Sequence, residues 1–371
     1  MRIAIMGAGL SGLACAITLE KNGIEPTIFE NRSMVGDRFV NAEAMFSILN
    51  RPTKNSLKYF SDEYNILLTP TDKIEKLVFH SKDETSSING QLGFSNIRGR
   101  HENSFECQLQ KQIKTKINFN SKREYEVLCK EYDYVVLATG DGDYSSHLGN
   151  YNSEITCTLK GAAITGDFIT NISHVWFNYE ILPKGFAYLI PFSKGLANFV
   201  INYPNYPQTI KLDINTIWQQ FYDRACNDLD QSPKITDSFE VTKYLLGICT
   251  YPKIENTYFI GNCFGTISPG LGFGQFTSLL TGVYAAYDLC GLGKYEELVK
   301  PLFENYHQSL VLRRYLENLD DDNLNKIVKR LDYKFIEDLI DRVTSSKSGV
   351  NLLKDFTPLM RLSNIFKTHK G

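Results

Sequence analysis

No CxxC pair occurs among the eight cysteines of this 371-residue chain, which lie singly at Cys15, Cys107, Cys129, Cys157, Cys226, Cys249, Cys263 and Cys290. That spacing excludes a zinc knuckle and a dithiol redox motif, and leaves free thiols of a reducing compartment. The six histidines form no HxxxH or HExxH pair, and no GxSxG elbow is present, so hydrolase and metalloenzyme readings have no residues to stand on. An excess of charge is also missing: 40 Lys and Arg face 42 Asp and Glu, which gives no footprint for a nucleic acid. No apolar run reaches the roughly 18 to 20 residues of a membrane span. The first strand begins at Arg2 with no charged and apolar leader before it, so a cytoplasmic protein is expected.

What the chain has is glycine in organised places. Arg2 to Met6, RIAIM, is a short apolar strand that runs into Gly7-Ala8-Gly9-Leu10-Ser11-Gly12 and then into a helix that turns Leu13, Ala14, Ile17 and Leu19 inward. The three glycines act differently. Gly7 permits the tight turn, Gly9 lets a pyrophosphate approach the backbone, and Gly12 lets the helix pack on the strand. The helix N-terminus then faces the anion. Asn22-Gly23 closes the helix, and Pro26 to Phe29 form a second strand that ends in Glu30, a carboxylate placed to accept ribose hydroxyls. These residues predict a dinucleotide site.

Two later segments choose between dinucleotides. Tyr132 to Gly142, YDYVVLATGDG, is a buried strand ending in Ala138-Thr139-Gly140; Asn256 to Gly274 holds a strand, then Gly261-Asn262, then a loop with Gly270, Gly272 and Gly274 ahead of a helix from about Phe276 to Leu289. With the first motif, they resemble the flavoprotein superfamily that contains p-hydroxybenzoate hydroxylase and the geranylgeranyl reductases, over about residues 1 to 290. The resemblance implies one FAD touched by all three segments: by Gly7, Ala8, Gly9, Ser11 and Gly12, by Glu30 and Asn31, by Ala138, Thr139 and Gly140, and by Gly261, Asn262, Gly270, Gly272 and Gly274. It also implies arginines beside the cofactor, at Arg38 in Val35-Gly36-Asp37-Arg38 and at Arg98 in Arg98-Gly99-Arg100, where a solvated basic turn is the competing reading. Asn262 stands where that family has Asp and keeps one acceptor oxygen without the charge. Asp141 to Ser145 fits the family's DGxxS without its usual following basic residue. Asn41 stands where the prenyl reductases carry a cysteine, with Glu43 after it as a pocket candidate or a surface carboxylate.

The expected fold class is α/β: a glutathione-reductase-type FAD-binding Rossmann domain in two pieces, 1–150 and 255–290, an antiparallel substrate sheet over 151–254, and a helical region over 291–371. In the substrate sheet, His174 to Tyr179, Phe186 to Pro191 and Leu196 to Tyr203 alternate as strands. Pro183 to Pro191 resembles the aromatic strand that geranylgeranyl reductases set beside the flavin, with Phe186 and Tyr188 at its aromatic positions and Phe273 of the glycine loop as a further pocket candidate; ordinary core packing is the alternative. Leu68 to Gly93 reads as a solvent-facing hairpin. Leu352 to Lys370 is amphipathic and cationic, fit to dock on its own protein or to touch a membrane surface.

The resemblance implies an FAD-dependent oxidoreductase that reduces a carbon-carbon double bond of an apolar small-molecule or lipid substrate, with isoprenoids among the candidates. A monooxygenase and a non-catalytic binder of an apolar or prenylated partner stay open beside it. Only one complete GxGxxG unit exists, so NAD(P)H would visit transiently or a reduced protein would supply electrons.

Overall fold

Residues 1–47 and 55–331 are described in the computed structural model of the protein. The chain opens with β1 (Ile3–Met6), α1 (Leu10–Lys21) and β2 (Thr27–Phe29), as the fingerprint requires. There follow β3 (Asn41–Phe46), α2 (Ser56–Tyr64), β4 (Asp72–His80), β5 (Thr85–Arg98), α3 (Phe105–Gln110), β6 (Ile117–Asn118), α4 (Tyr125–Glu131), β7 (Tyr134–Leu137) and α5 (Asp143–His147). The middle carries β8 (Asn152–Thr165), β9 (Ile172–Trp176), β10 (Phe186–Ser193), β11 (Leu196–Pro204), α6 (Ile214–Asp228) and β12 (Lys234–Ile248). Last come β13 (Lys253–Ile254), β14 (Thr257–Phe259), a 3-10 turn at Gly261–Cys263, α7 (Gln275–Leu289), α8 (Tyr295–Leu298), α9 (Lys300–Leu316) and α10 (Asp321–Leu331).

A six-stranded sheet in the order β13-β14-β7-β1-β2-β6 is parallel except at its β13–β14 edge. Both of its faces are covered, which is why β1 and β7 read as unbroken apolar runs rather than alternating ones. Ile3 and Ile5 point into the larger core with Leu13, Ile17, Leu279 and Val283 of α1 and α7, while Ala4 faces the opposite cluster with Leu128 of α4.

The second sheet has eight strands in the order β12-β8-β11-β10-β9-β4-β5-β3. It is larger than the strands of 151–254 predict, because β3, β4 and β5 join it, and it is not purely antiparallel, because β4 runs parallel to β9. Alternation along a strand reports which face is buried and is silent on the partner strand. The hairpin expected over Leu68 to Gly93 forms as β4 and β5, but it does not simply face solvent: Ile74, Ile88 and Leu92 join Ile190 and Phe192 in a shared core. On β10 the pleat divides two environments. Ala187 and Leu189 lie under α6 with Trp218 and Phe221, whereas Tyr188 and Ile190 face β3 and β5.

Helices α8 to α10 continue the helical character expected from residue 291, and the amphipathic stretch 352–370 lies outside the described residues. Among the described residues no helix is long and apolar enough to cross a membrane.

Candidate functional site: a dinucleotide cradle and an apolar cleft

The first turn of the cradle is shaped by glycine. Gly7 sits at φ +116°, donates its N–H to Phe29 O at 2.8 Å, and leaves no room for a Cβ, which would collide with the Ala138 carbonyl. A Cβ on Gly12 would strike the Gly7 carbonyl. Gly9 differs: among the described residues a Cβ there meets nothing within 4 Å, so the middle glycine borders open space. No described side chain caps α1, and no acidic residue stands in its first turn. Its leading N–H groups and positive dipole end are therefore offered to an anion.

Helix α7 repeats the arrangement, with Gly274 as an N-cap that makes no side-chain bond and no acid in its first turn. The two helices are locked together where a Cβ on Gly282 would meet the Ser11 carbonyl and one on Gly261 would meet Ser11 Oγ. Ser11 is thus a packing residue at the helix crossing as well as part of the loop.

Glu30 sits at the edge of this loop. One carboxylate oxygen accepts the Ala8 N–H at 2.9 Å and the other accepts the Arg32 N–H at 2.9 Å, while Asn31 beside it is exposed. Each Glu30 oxygen keeps a lone pair for a hydroxyl donor. Ala138 is buried, Thr139 Oγ1 lies 3.1 Å from Cys263 Sγ, and Gly140, at φ +90°, borders open space. Asn262 donates to Gly140 O at 2.8 Å and to Tyr244 Oη at 2.6 Å, and its Oδ1 accepts from Thr266 at 2.9 Å. Its amide hydrogens are therefore committed within the protein, and what it retains is a lone pair on Oδ1.

Arg38, Glu43 and Arg98 meet in one network. Arg98 binds Glu43 at 2.9 Å and Glu106 at 2.8 Å, and Arg38 reaches Glu43 at 3.3 Å. Asn41 and Gln275 also donate to Glu43, and Asn96 bonds Gln275. Neither Glu43 nor Arg98 is a freely solvated surface charge. Burial alone would push the Glu43 carboxyl up, but Arg98 and Arg38 outweigh it and bring it down to about 2. Asn41 Oδ1 and Glu106 Oε2 are buried acceptors with no hydrogen-bond partner among the described residues.

The cradle fits FAD on three grounds: open space beside Gly9 at an uncapped helix end, a second uncapped helix crossing it, and acceptors without donors near the arginines. Gly7, Ala8, Gly9 and Gly12 would hold the pyrophosphate, Glu30 the adenosine ribose, and the α7 end with Gly270 to Gly274 the isoalloxazine.

Beyond the cradle lie aromatic walls. Phe186 lines a small cleft together with Gly270 and Gly272. Tyr188 packs in the cluster that contains Phe273, whose ring meets Phe46 edge-on with centroids 5.0 Å apart. Gln275, Asn96, Tyr244, Asn202 and Arg313 belong to these sites, and four of the five have no local signature in the chain. Gln275 alone is within reach of sequence reasoning, as the first residue after the glycine loop.

Comparison with known proteins agrees with this geometry. The pyridine nucleotide-disulphide oxidoreductase family profile matches residues 1–166. Thiamine thiazole synthase of Thermotoga maritima is 38% identical over 66 residues, 17% of this chain, and the chain spans only about a quarter (26%) of that relative's length. Among solved structures, a geranylgeranyl bacteriochlorophyll reductase-like protein of Thermoplasma acidophilum superposes with a TM-score of 0.70 at 16% identity, covering 96% of this chain and 98% of that one. The flavin-dependent brominase Bmp2 gives 0.66 at 11% identity, covering 98% and 99%, and a Klebsiella pneumoniae HpxO variant complexed with FAD gives 0.62 at 12%, covering 94% and 99%. Residues 1–166 are thus similar to the pyridine nucleotide-disulphide oxidoreductase family, and the chain shares its fold with these flavoproteins.

Proposed function

We propose that the protein is an FAD-dependent oxidoreductase that saturates a carbon-carbon double bond in an apolar, isoprenoid-like substrate. The observation that carries this reading is the apolar lining beside the glycine loop: Tyr188, Ile190 and Phe46 pack in one cluster with Phe273, and Phe186 lines the cleft at Gly270 and Gly272. Such a surface suits a hydrocarbon chain and excludes water from the reacting carbons. Reduced FAD supplies the hydride in this reaction.

The chain's own residues bind and orient. Glu43 is held ionised by Arg98 and Arg38, so at neutral pH it has no proton to give and acts as an anchor for the two arginines. The second hydrogen of the saturated bond arrives as a proton, and groups that keep one here include the Tyr188 phenol and, on the Phe186 cleft, the Cys157 thiol and the Tyr203 phenol. Burial raises Tyr188, reinforced by the Glu43 charge, and burial pushes Cys157 up to about 11. Electrons reach the cofactor from a transiently bound NAD(P)H or from a reduced protein.

The test is spectroscopic. Purified protein should absorb near about 370 and 450 nm as a flavin held in a Rossmann site does. It should bleach with dithionite or NADPH under anaerobic conditions and recover its colour on addition of a polyprenyl lipid. Recovery only with oxygen and an aromatic substrate would replace the reductase by a monooxygenase. A colourless protein that cannot be reconstituted with FAD would leave a binder.

A further inference from the structure

We infer that Asn41 is a cofactor-positioning residue whose side-chain carbonyl accepts an N–H of the isoalloxazine, at N3 or, once the ring is reduced, at N5. The inference rests on the FAD reading and is independent of what the protein reduces.

Asn41 and Glu43 open β3 two residues apart, so the pleat sets both on one face of the strand with Met45. Met45 packs in the core that α1 and α7 share, whereas Ala42 and Ala44 face the opposite cluster. Asn41 and Glu43 are therefore turned toward the cofactor sheet and its helices. Glu43 is also held by Gln275, the first residue of α7, at the helix end assigned to the isoalloxazine. Tyr188 of β10 stands close enough for the Glu43 charge to add to burial in raising its phenol. Asn41 thus borders the space between the two sheets where the ring belongs.

Charge fixes the orientation of the Asn41 amide. Nδ2 donates to Glu43 Oε1 at 2.9 Å. Exchanging the two ends of the amide would set its carbonyl oxygen against a carboxylate that Arg98 and Arg38 keep ionised, so electrostatics rejects the flipped form. Oδ1 therefore turns away from Glu43. It is buried there with no hydrogen-bond partner among the described residues, in a residue only 6% exposed.

The rest of the network is closely paired. Glu43 accepts from Asn41, Arg38, Arg98 and Gln275, and Asn96 and Gln275 bond each other. Its other unmatched acceptor, Glu106 Oε2, lies across the Arg98 guanidinium, which bridges the two carboxylates. A buried amide oxygen without a donor is unfavourable, and one locked in that state marks the place of a donor from outside the chain. The isoalloxazine brings such a donor at N3 in both redox states and gains a second at N5 on reduction. A ribityl hydroxyl is the competing donor.

Fluorescence titration of the full-length FAD-free protein with FAD and with 3-methyl-FAD, joined to the midpoint potential of bound FAD, separates these donors. The proteins compared are wild type, Asn41→Leu and Asn41→Ser. Asn41→Leu fills the same space without polar atoms. Asn41→Ser keeps a donor for Glu43 and withdraws the acceptor, and it carries the test should the leucine variant not fold. With N3–H as the donor, the preference for FAD over 3-methyl-FAD shrinks about five- to tenfold in the variants, the worth of one hydrogen bond, and the potential stays. With N5–H as the donor, that preference stays and the potential falls, because reduced flavin alone loses its partner. A preference and a potential that both stay overturn the inference, since any affinity then lost belongs to a ribityl hydroxyl or to packing. A wild type that binds neither cofactor overturns the inference and the FAD reading together, whereas FAD bound with Asn41 indifferent overturns the inference alone.

Discussion

The Asn262 amide donates to the Tyr244 phenol oxygen at 2.6 Å and, with its other hydrogen, to the Gly140 carbonyl at 2.8 Å, while Tyr244 itself donates to Gly140 at 3.2 Å. Tyr244 belongs to β12 of the large sheet, and the other two residues follow strands of the cofactor sheet, so this triangle pins one sheet to the other. An aspartate at this position could not donate to a carbonyl. Asn262→Asp should therefore cost about 1 kcal/mol by loss of a hydrogen bond, Tyr244→Phe a similar amount, and the pair together less than the sum. Urea unfolding of the two single variants and the double variant measures the coupling; strict additivity would show that the triangle is not a unit.

Gly9 and Gly12 make opposite demands although they share one motif. A Cβ on Gly9 meets nothing within 4 Å among the described residues, so Gly9→Ala should leave the melting temperature of the FAD-free protein unchanged. The same methyl intrudes where a pyrophosphate approaches the backbone, so FAD affinity should fall. A Cβ on Gly12 collides with the Gly7 carbonyl, so Gly12→Ala should destabilise the FAD-free protein by about 1–3 kcal/mol as an overpacked contact. Thermal melts paired with FAD titration separate the two; equal melting losses would contradict the assignment of the opening to the cofactor.

The difference between local and distant signals explains what the sequence discloses. β1, α1 and β2 are legible because strand, glycine turn and helix lie within thirty consecutive residues; Leu13, Ala14, Ile17 and Leu19 are buried as expected, but so is every other residue from Leu10 to Leu19, because α1 is covered all round. The bond between Asn96 and Gln275 joins residues 179 apart, and that between His80 and His174 joins residues 94 apart. Neither side chain in either pair has a periodicity that points to its partner. Glu43 illustrates the intermediate case: its type and place are readable, but whether it meets water or two arginines depends on how β3 pairs with β5.

Arg98 stands between two carboxylates, and only 13% of its side chain and 3% of that of Glu106 are exposed. Removing the arginine alone leaves Glu43 and Glu106 beside each other with less compensation. Arg98→Met should cost about 3–5 kcal/mol, the range for breaking a buried pair from one side. Arg98→Met combined with Glu106→Gln should recover part of that loss, since an unpaired buried carboxylate is then gone. Chemical denaturation of both variants is the check, and a double variant worse than the single one would contradict the account.

Acid should act on this fold first through a buried histidine pair. His80 Nε2 lies 3.1 Å from His174 Nδ1, and both rings stack with Trp176 in a site where Asp228 accepts from Trp176 and Arg224. Burial lowers His80 to about 4 despite Asp228, with Arg224 pushing the same way; burial, then the charge of His80 and of Lys76, lowers His174 to about 3. A histidine with a lowered folded value binds its proton more readily in the unfolded chain, so stability rises with pH across the gap. The contribution is complete above the ordinary value of 6.5 and is lost as pH falls from there toward 4 and 3. Glu43 acts in a lower window that overlaps the foot of the histidines' own, between its ordinary 4.5 and about 2, with the same sign. Melting temperature should therefore begin to fall already below pH 6.5, before the carboxylates titrate. His174→Gln keeps a hydrogen-bonding side chain beside His80 without a titrating ring, and should flatten the upper part of the decline. A wild-type melting temperature flat from pH 6.5 down to 4.5 would show that these rings are not held neutral by the fold.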